Sequence, residues 1–397
     1  MNLRDFNLPL NSWLAVLIAF INTASFTITM SVLYPLAKEL GLSDFEASLL
    51  NAAYAICQFF AIPILGKLSD RFGRKPLLIT CLSGSVITNF SVGFSSVAWV
   101  LFAARIVDGL TGANLSVARS LISDTTPTDL RPKAFSFFEA GSRLGFIIGP
   151  ALGYAALSLS NIREVFSFKI SFLIAAAISF SATLLCIFLL PETLPQKQRF
   201  RLRWNELGLS KIVKSAINTN FSRLFMISLA SGITYTIFTF AFQPFFINVL
   251  QQDAKRLAVP FVLTGVLGVI TQIFLLALLT LRFSLTNILF ISLVARGLLF
   301  LLIPIFPVPT IFLAIFIACS IVSSFSRPLL MSIVSLKSSP QEQGEILGIN
   351  TSYLSLGNTI GPAIAGLLVS FSYGVPFFIA GILTLITAWF AFNLENQ

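Results

Sequence analysis

The chain has 397 residues, of which 56% are hydrophobic and 11% charged, and its mean hydropathy is +0.89. A soluble protein carries about 25% charged residues, and one this apolar would expose patches large enough to aggregate, so the composition excludes a water-soluble fold. A formal charge of +10 would direct a soluble chain toward nucleic acid or acidic partners, but in a membrane chain its distribution matters more than its size.

Apolar stretches predict twelve all-α spans at roughly 12–35, 46–66, 77–96, 99–121, 135–158, 169–190, 222–249, 258–280, 286–304, 309–333, 345–370 and 375–393, each close to the ~20 residues that cross a bilayer. The first stretch is longer than a signal-peptide core and has no small-residue cleavage site, so it reads as a span. An even number of spans puts both termini on one face. With that face cytoplasmic, 17 Lys and Arg fall inside, five outside (Lys38, Arg163, Lys169, Lys255 and Arg256) and four within spans. This is the positive-inside distribution; the basic excess sets orientation, and no nucleic-acid partner is expected. Cys57, Cys81, Cys186 and Cys319 lie in apolar stretches at no metal-ligand spacing, and His is absent. They read as packing residues, with no disulfide, metal or cofactor implied.

The long polar connection from Pro191 to about Phe221 divides the chain into an N-terminal six-helix bundle, 1–190, a cytoplasmic linker, 191–221, and a C-terminal six-helix bundle, 222–397. In the linker, Leu207, Leu209, Ile212, Val213 and Ile217 share a helical face opposite Lys211 and Lys214. That pattern fits either a short helix lying on anionic headgroups or a solvated linker. An internal repeat supports the two halves: Gly145, Gly149, Pro150 and Gly153 in the fifth span are echoed by Gly357, Gly361, Pro362 and Gly366 in the eleventh, with the Gly-Pro pairs 212 residues apart. Small residues four apart let helices approach closely, and proline permits a bend. Repeated halves in a membrane chain point to transporter architecture.

A charge at mid-membrane costs several kcal/mol unless paired or hydrated, which makes the intramembrane ions functional candidates. Arg105 and Asp108 lie roughly 9 and 14 Å into the fourth span, three residues apart on one helix face where they can pair. Asp108 is the expected proton-coupling carboxylate and Arg105 its modulator; a static neutralising pair is the alternative. Glu139 and Arg143, four apart in the fifth span, repeat the arrangement nearer the cytoplasm. Glu139 is the second proton candidate, and Arg143 is expected to answer Asp108 or a substrate anion. Arg327 in the tenth span is a cavity contact or a snorkelling residue. Arg296, near the middle of the ninth, has no role readable from sequence.

Between the second and third spans stands Gly66-Lys67-Leu68-Ser69-Asp70-Arg71-Phe72-Gly73-Arg74-Lys75-Pro76, a tight turn whose glycines permit positive φ. It resembles, without gaps, the signature loop of the major facilitator superfamily. The resemblance implies a gating role for Gly66, Asp70, Arg71, Gly73 and Arg74, with Asp70 engaging the start of the eleventh helix and Arg74 pairing with Asp124 at the end of the fourth. Arg105, Gly109 and Gly112 look like the family's fourth-helix motif. The Gly145 to Gly153 pattern looks like its antiporter motif, found mostly in drug exporters, where Pro191-Glu192-Thr193-Leu194 is also common. By the same resemblance the first, fourth, seventh and tenth helices line the cavity, which assigns Asn22, Thr23, Asn114, Tyr235 and Gln243 to it as polar residues. Phe26, Phe238, Phe240 and Phe242 line a drug pocket or belong to the core.

Two departures stand out. The first span carries Asn22 and Thr23 where many such exporters have an acid, and the second-half counterpart of the loop, Thr280 to Leu285, keeps Arg282 without an acid. The implied protein is a monomeric, non-enzymatic secondary transporter of a bacterial inner or plasma membrane, similar to the tetracycline and multidrug branch. Its expected partners are a small amphipathic solute, protons and the lipid bilayer. Uniport or symport of an imported metabolite, or a receptor on the same scaffold, are the alternative readings.

Overall fold

The computed structural model describes residues 8–128, 130–159, 164–194, 221–338 and 342–392. Among these, all regular structure is helical. The helices are α1 (Leu10–Glu39), α2 (Asp44–Phe72), α3 (Arg74–Phe94), α4 (Ala98–Thr125), α5 (Arg131–Leu159), α6 (Glu164–Phe188), α7 (Ser222–Val249), α8 (Ala258–Ile270, continuing through Leu276–Thr280), α9 (Leu285–Ile305), α10 (Pro309–Lys337), α11 (Gln343–Val369) and α12 (Val375–Phe392). Ten of them are long and apolar enough to cross a membrane, α5 and the segmented α8 standing outside that set. Trp99, Phe188 and Leu281 are 68%, 77% and 80% exposed, a surface suited to lipid and hazardous in water. The amphipathic pattern from Leu207 to Ile217 lies outside the described residues.

Three helices depart from the uninterrupted spans expected from hydropathy. α4 stops at Leu110 and resumes at Asn114. α7 finishes in a π turn, Phe245–Val249, directly after Pro244, and α8 contains a π segment, Thr271–Leu275. Hydropathy sums side-chain character over a window and is blind to such changes in backbone register.

The chain forms two compact units, Met1–Gly41 with Ala53–Leu202 and Leu42–Ala52 with Arg203–Gln397. In the first, Leu78, Leu82, Val117, Leu121 and Phe138 belong to one buried core. In the second, Leu289, Leu293, Leu329 and Val334 do the same. The boundary differs from a simple division at the linker, because the first turns of α2 group with the second unit. There the Ser48 side chain occupies the space that a Cβ on Gly366 would need, and the Tyr373 hydroxyl donates to Asp44 Oδ2 at 3.1 Å. Burial and the neighbouring carboxylate hold the Tyr373 phenol above its ordinary pKa, so it stays a donor.

Each unit is built on one glycine-mediated contact. In the first, a Cβ on Gly145 would collide with Phe20 O and lie 2.9 Å from Ala24 N, and one on Gly149 would collide with Thr27 Oγ1. Thr27 Oγ1 donates to Gly145 O at 3.2 Å. In the second unit, a Cβ on Gly357 would meet Leu229 O and Ile233 N, and one on Gly361 would meet Thr236 Oγ1. Thr236 Oγ1 reaches Gly357 O at 3.5 Å. The α1–α5 and α7–α11 seams therefore use the same backbone contact and the same threonine, with Pro150 and Pro362 inside the glycine-bearing helices. Gly153 is looser: its Cβ would sit 3.4 Å from Ile28 Cγ2 and Ser31 Oγ. Valine at Gly145 or Gly357 should therefore destabilise by about 1–3 kcal/mol or more, whereas Gly153→Ala should be nearly neutral, as measured by thermal unfolding of the purified protein in detergent.

Candidate functional site

The α2–α3 turn depends on Gly73, whose φ of +116° is closed to most residues. A carboxylate oxygen of Glu192 lies where a Cβ on Gly73 would project. Glu192 Oε1 accepts from the backbone N–H of Arg74 at 2.9 Å, Thr193 at 2.9 Å and Leu194 at 3.0 Å. Since Gly73 offers no capping side chain, Glu192 caps α3 from a distance of 118 residues along the chain and places negative charge at the positive end of the helix dipole. Buried Arg74 joins Asp124 (Nε–Oδ2, 2.7 Å) and Asp70 (Nη1–Oδ1, 2.6 Å) and also donates to Ser69 Oγ. The structure thus brings Arg74 and Asp124 together and turns Asp70 onto Arg74. Arg71 is exposed, its guanidinium 5.0 Å above the Phe72 ring. A Cβ on Gly66 would meet nothing within 4 Å, and Gly66 O accepts from Ser69 Oγ at 2.6 Å.

A second polar cluster surrounds the break in α4. Asp108 Oδ2 lies 3.3 Å from Arg105 Nη1, and Asp108 Oδ1 accepts from Ser85 Oγ at 2.9 Å. The Arg105 guanidinium stacks over the Tyr54 ring at 4.1 Å and touches Met30 S at 3.6 Å. Gln58 Nε2 donates both to Tyr54 Oη at 2.7 Å and to Gly112 O at 2.9 Å, and so satisfies a carbonyl at the interruption. That is the requirement for any irregular backbone at membrane depth. Gly109 admits α2 closely, since a Cβ there would lie 2.5 Å from Tyr54 O. The arrangement holds a carboxylate between a hydroxyl donor and a cation on a discontinuous helix, a setting in which one proton changes the local charge. Tyr54, Gln58, Ser85 and Met30 escaped the sequence reading. The available signal was Tyr54 and Gln58, polar residues four apart in the apolar middle of α2.

The remaining candidates divide. Asn114 Nδ2 donates to Asn22 Oδ1 at 2.8 Å, tying α4 to α1, while Asn114 Oδ1 and Thr23 Oγ1 are buried without partners. The Glu139–Arg143 pair expected from spacing is corrected. Glu139 instead binds Arg119 at 2.7 Å, both largely exposed, because an i,i+4 pair adds only ~0.2–0.5 kcal/mol and a cation on the adjacent helix competes readily. Half-buried Arg143 makes no ion pair among the described residues, and Asp108 is held by Arg105 and Ser85. In the second unit, Gln243 is buried with Oε1 unpartnered, Tyr235 is half-buried, and Arg327 is exposed on α10. Phe238, Phe240 and Phe242 are core: Phe238 stacks on Phe300 at 4.8 Å, and Phe242 packs on Phe316 at 5.0 Å. Phe26 packs on Tyr54 at 5.3 Å. Among the described residues no three Cys, Asp or Glu gather to hold a metal.

The family model of the Major Facilitator Superfamily matches residues 15–283 and 224–396. The chain is 29% identical over 361 residues to multidrug resistance protein 1 of Bacillus subtilis (strain 168), covering 89% of each protein. It is 36% identical over 183 residues to the class B tetracycline resistance protein of Escherichia coli, 45% of this chain and 44% of that one. In fold it resembles the nucleoside transporter NupG, with a TM-score of 0.78 at 14% identity over 98% of this chain and 100% of that one. At the α2–α3 turn, Asp124→Asn should leave Arg74 with one carboxylate fewer and lower stability by about 3 kcal/mol, read as a reduced unfolding temperature.

Proposed function

The chain belongs to the Major Facilitator Superfamily, and from that premise we propose that it exports a small amphipathic solute in exchange for protons by alternating access. The drug-resistance relatives, one of them similar over 89% of its length, support transport in the efflux direction. Twelve spans, cytoplasmic termini and a monomer in a bacterial inner membrane complete this reading.

The observation that carries the proton coupling is Asp108, a carboxylate within the membrane, 13% exposed at the side chain and paired with an Arg105 that is 3% exposed. While Asp108 is ionised, the pair is neutral. Protonation removes the carboxylate charge and leaves Arg105 as a buried cation held only by the Tyr54 ring and Met30. Breaking a buried pair in this way costs about 3–5 kcal/mol, and moving a two-state equilibrium from 1:99 to 99:1 needs about 5.5 kcal/mol. One proton at this site therefore supplies most of the bias needed to favour a second conformation in which Arg105 is hydrated. Release of the proton restores the pair and the first conformation.

In proteoliposomes, Asp108→Asn should abolish transport driven by a pH gradient while leaving substrate counterflow measurable. Undiminished gradient-driven uptake in that variant, followed with a labelled substrate and a pH-sensitive dye, would overturn the coupling role. Substrate flux with no proton counterflow in the unmodified protein would replace antiport by uniport.

A further inference from the structure

The second unit holds a buried cation that the coupling scheme leaves unused. Arg296 on α9 is 1% exposed. A guanidinium has five N–H donors, yet among the described residues Arg296 makes two hydrogen bonds, Nη1 to Ser326 Oγ at 3.4 Å and Nη2 to Thr234 Oγ1 at 3.3 Å. Both are long for a charged donor, whose bonds run about 2.7–2.9 Å to an anionic acceptor. Its Nε is buried with no partner, and no carboxylate among the described residues pairs with it. Arg105, a buried cation of the first unit, has Asp108. A guanidinium in such a setting has lost its hydration without gaining a paired charge.

The surroundings share one chemistry. Thr234 and Ser326, which touch Arg296, each belong to a helix face carrying a further hydroxyl one turn earlier, Ser231 on α7 and Ser323 on α10. Ser231 Oγ and Ser323 Oγ are also buried without partners, and Ser231 is 4% exposed. The next residue on each helix is Tyr235 or Arg327, and Tyr235 lies within electrostatic reach of both Arg296 and Arg327. The guanidinium Nε and two serine hydroxyls, one turn from its two hydrogen-bond partners, are thus buried and unpartnered among the described residues, each of them able to donate. Tyr235 is half-buried and Arg327 exposed, each following in sequence a residue that touches Arg296. A cation is repelled here and a neutral acceptor leaves the guanidinium charge uncompensated; a planar anion with two acceptor oxygens neutralises it and matches the geometry of the Nε–Nη edge.

We propose that Arg296, with Ser231 and Ser323, forms an anion-binding site in the second unit that takes the carboxylate of an amphipathic organic solute, and that Arg327 and Tyr235 form its approach. Calling that solute the substrate rests on the transport reading above. Binding is tested without any gradient, so the site is read whether or not protons drive transport.

The full chain in nanodiscs of phosphatidylcholine, which contain no anionic lipid, is titrated with 2-naphthoate, 2-naphthylmethylammonium and 2-naphthalenemethanol, following tryptophan fluorescence and unfolding temperature. The carboxylate should bind at least about tenfold more tightly than the other two, and Arg296→Gln should remove that preference, the loss expected for a charge-assisted hydrogen bond. Ser231→Ala with Ser323→Ala, which removes hydroxyls unpartnered among the described residues, should weaken naphthoate by about threefold or more without lowering the unfolding temperature of the ligand-free chain. This second variant keeps the test intact if Arg296→Gln fails to fold. Equal binding of the three probes, no binding of naphthoate, or undiminished naphthoate affinity in either variant overturns the site. Chloride protecting as strongly as naphthoate at equal concentration assigns it to an inorganic anion and overturns the solute reading.

Discussion

Hydrocarbon offers no hydrogen bonds and almost no dielectric screening, so a backbone amide, hydroxyl or charge inside a span is costly unless it finds a partner within the protein. The helices answer this for most of the backbone. The exceptions are covered individually. Where α4 is interrupted, Gln58 takes the carbonyl of Gly112. Hydroxyls fold back onto carbonyls of their own helix, as Thr27 does to Thr23 O at 2.9 Å, or cross to a neighbour, as Ser25 does to Ala175 O at 2.9 Å. Glu192 covers the first amide of α3, where glycine leaves no side chain to do so.

The same constraint explains why the seams of both units are made from glycine and threonine. Lipid tails are as apolar as leucine, so burying leucine gains little, and helices associate through close backbone packing and the hydrogen bonds it brings. Gly145 and Gly149 against α1, and Gly357 and Gly361 against α7, give that proximity twice, once in each repeat. On these matching frames the charges differ. Arg105 faces a carboxylate on its own helix, whereas Arg296 crosses to hydroxyls on α7 and α10. The two halves thus pack their helices alike and differ in the polar partners those helices carry.

Several of these contacts were legible in advance and others were not, for reasons specific to each. The Arg105–Asp108 pair follows from a spacing of three on one helix. The glycine seams follow from a repeated pattern, and the membrane location from composition alone. The Glu139 partner did not follow, because Arg119 sits on another helix at a sequence distance of 20 and only packing brings it near. Tyr54 and Gln58 were hidden in an apolar stretch whose hydropathy hardly registers them. The interruption of α4 leaves no trace in the 99–121 window, since Gly109 and Gly112 are common in unbroken membrane helices too. Glu192 read as part of a family pattern, and its capping of α3 became visible only when the ends of α3 and α6 were seen together.

From sequence alone this protein could be identified as helical, membrane-embedded and duplicated, because composition, helical period and repeats are properties of short stretches or of simple counts; its likeness to exporters came from motifs that resemble a known family. The tertiary structure decided partners that sequence left open: Arg119 for Glu139, Ser85 for Asp108, and for Arg296 hydroxyls with no carboxylate among the described residues. In a medium without solvent those choices are made between helices far apart in the chain, where the 3.6-residue period carries no information.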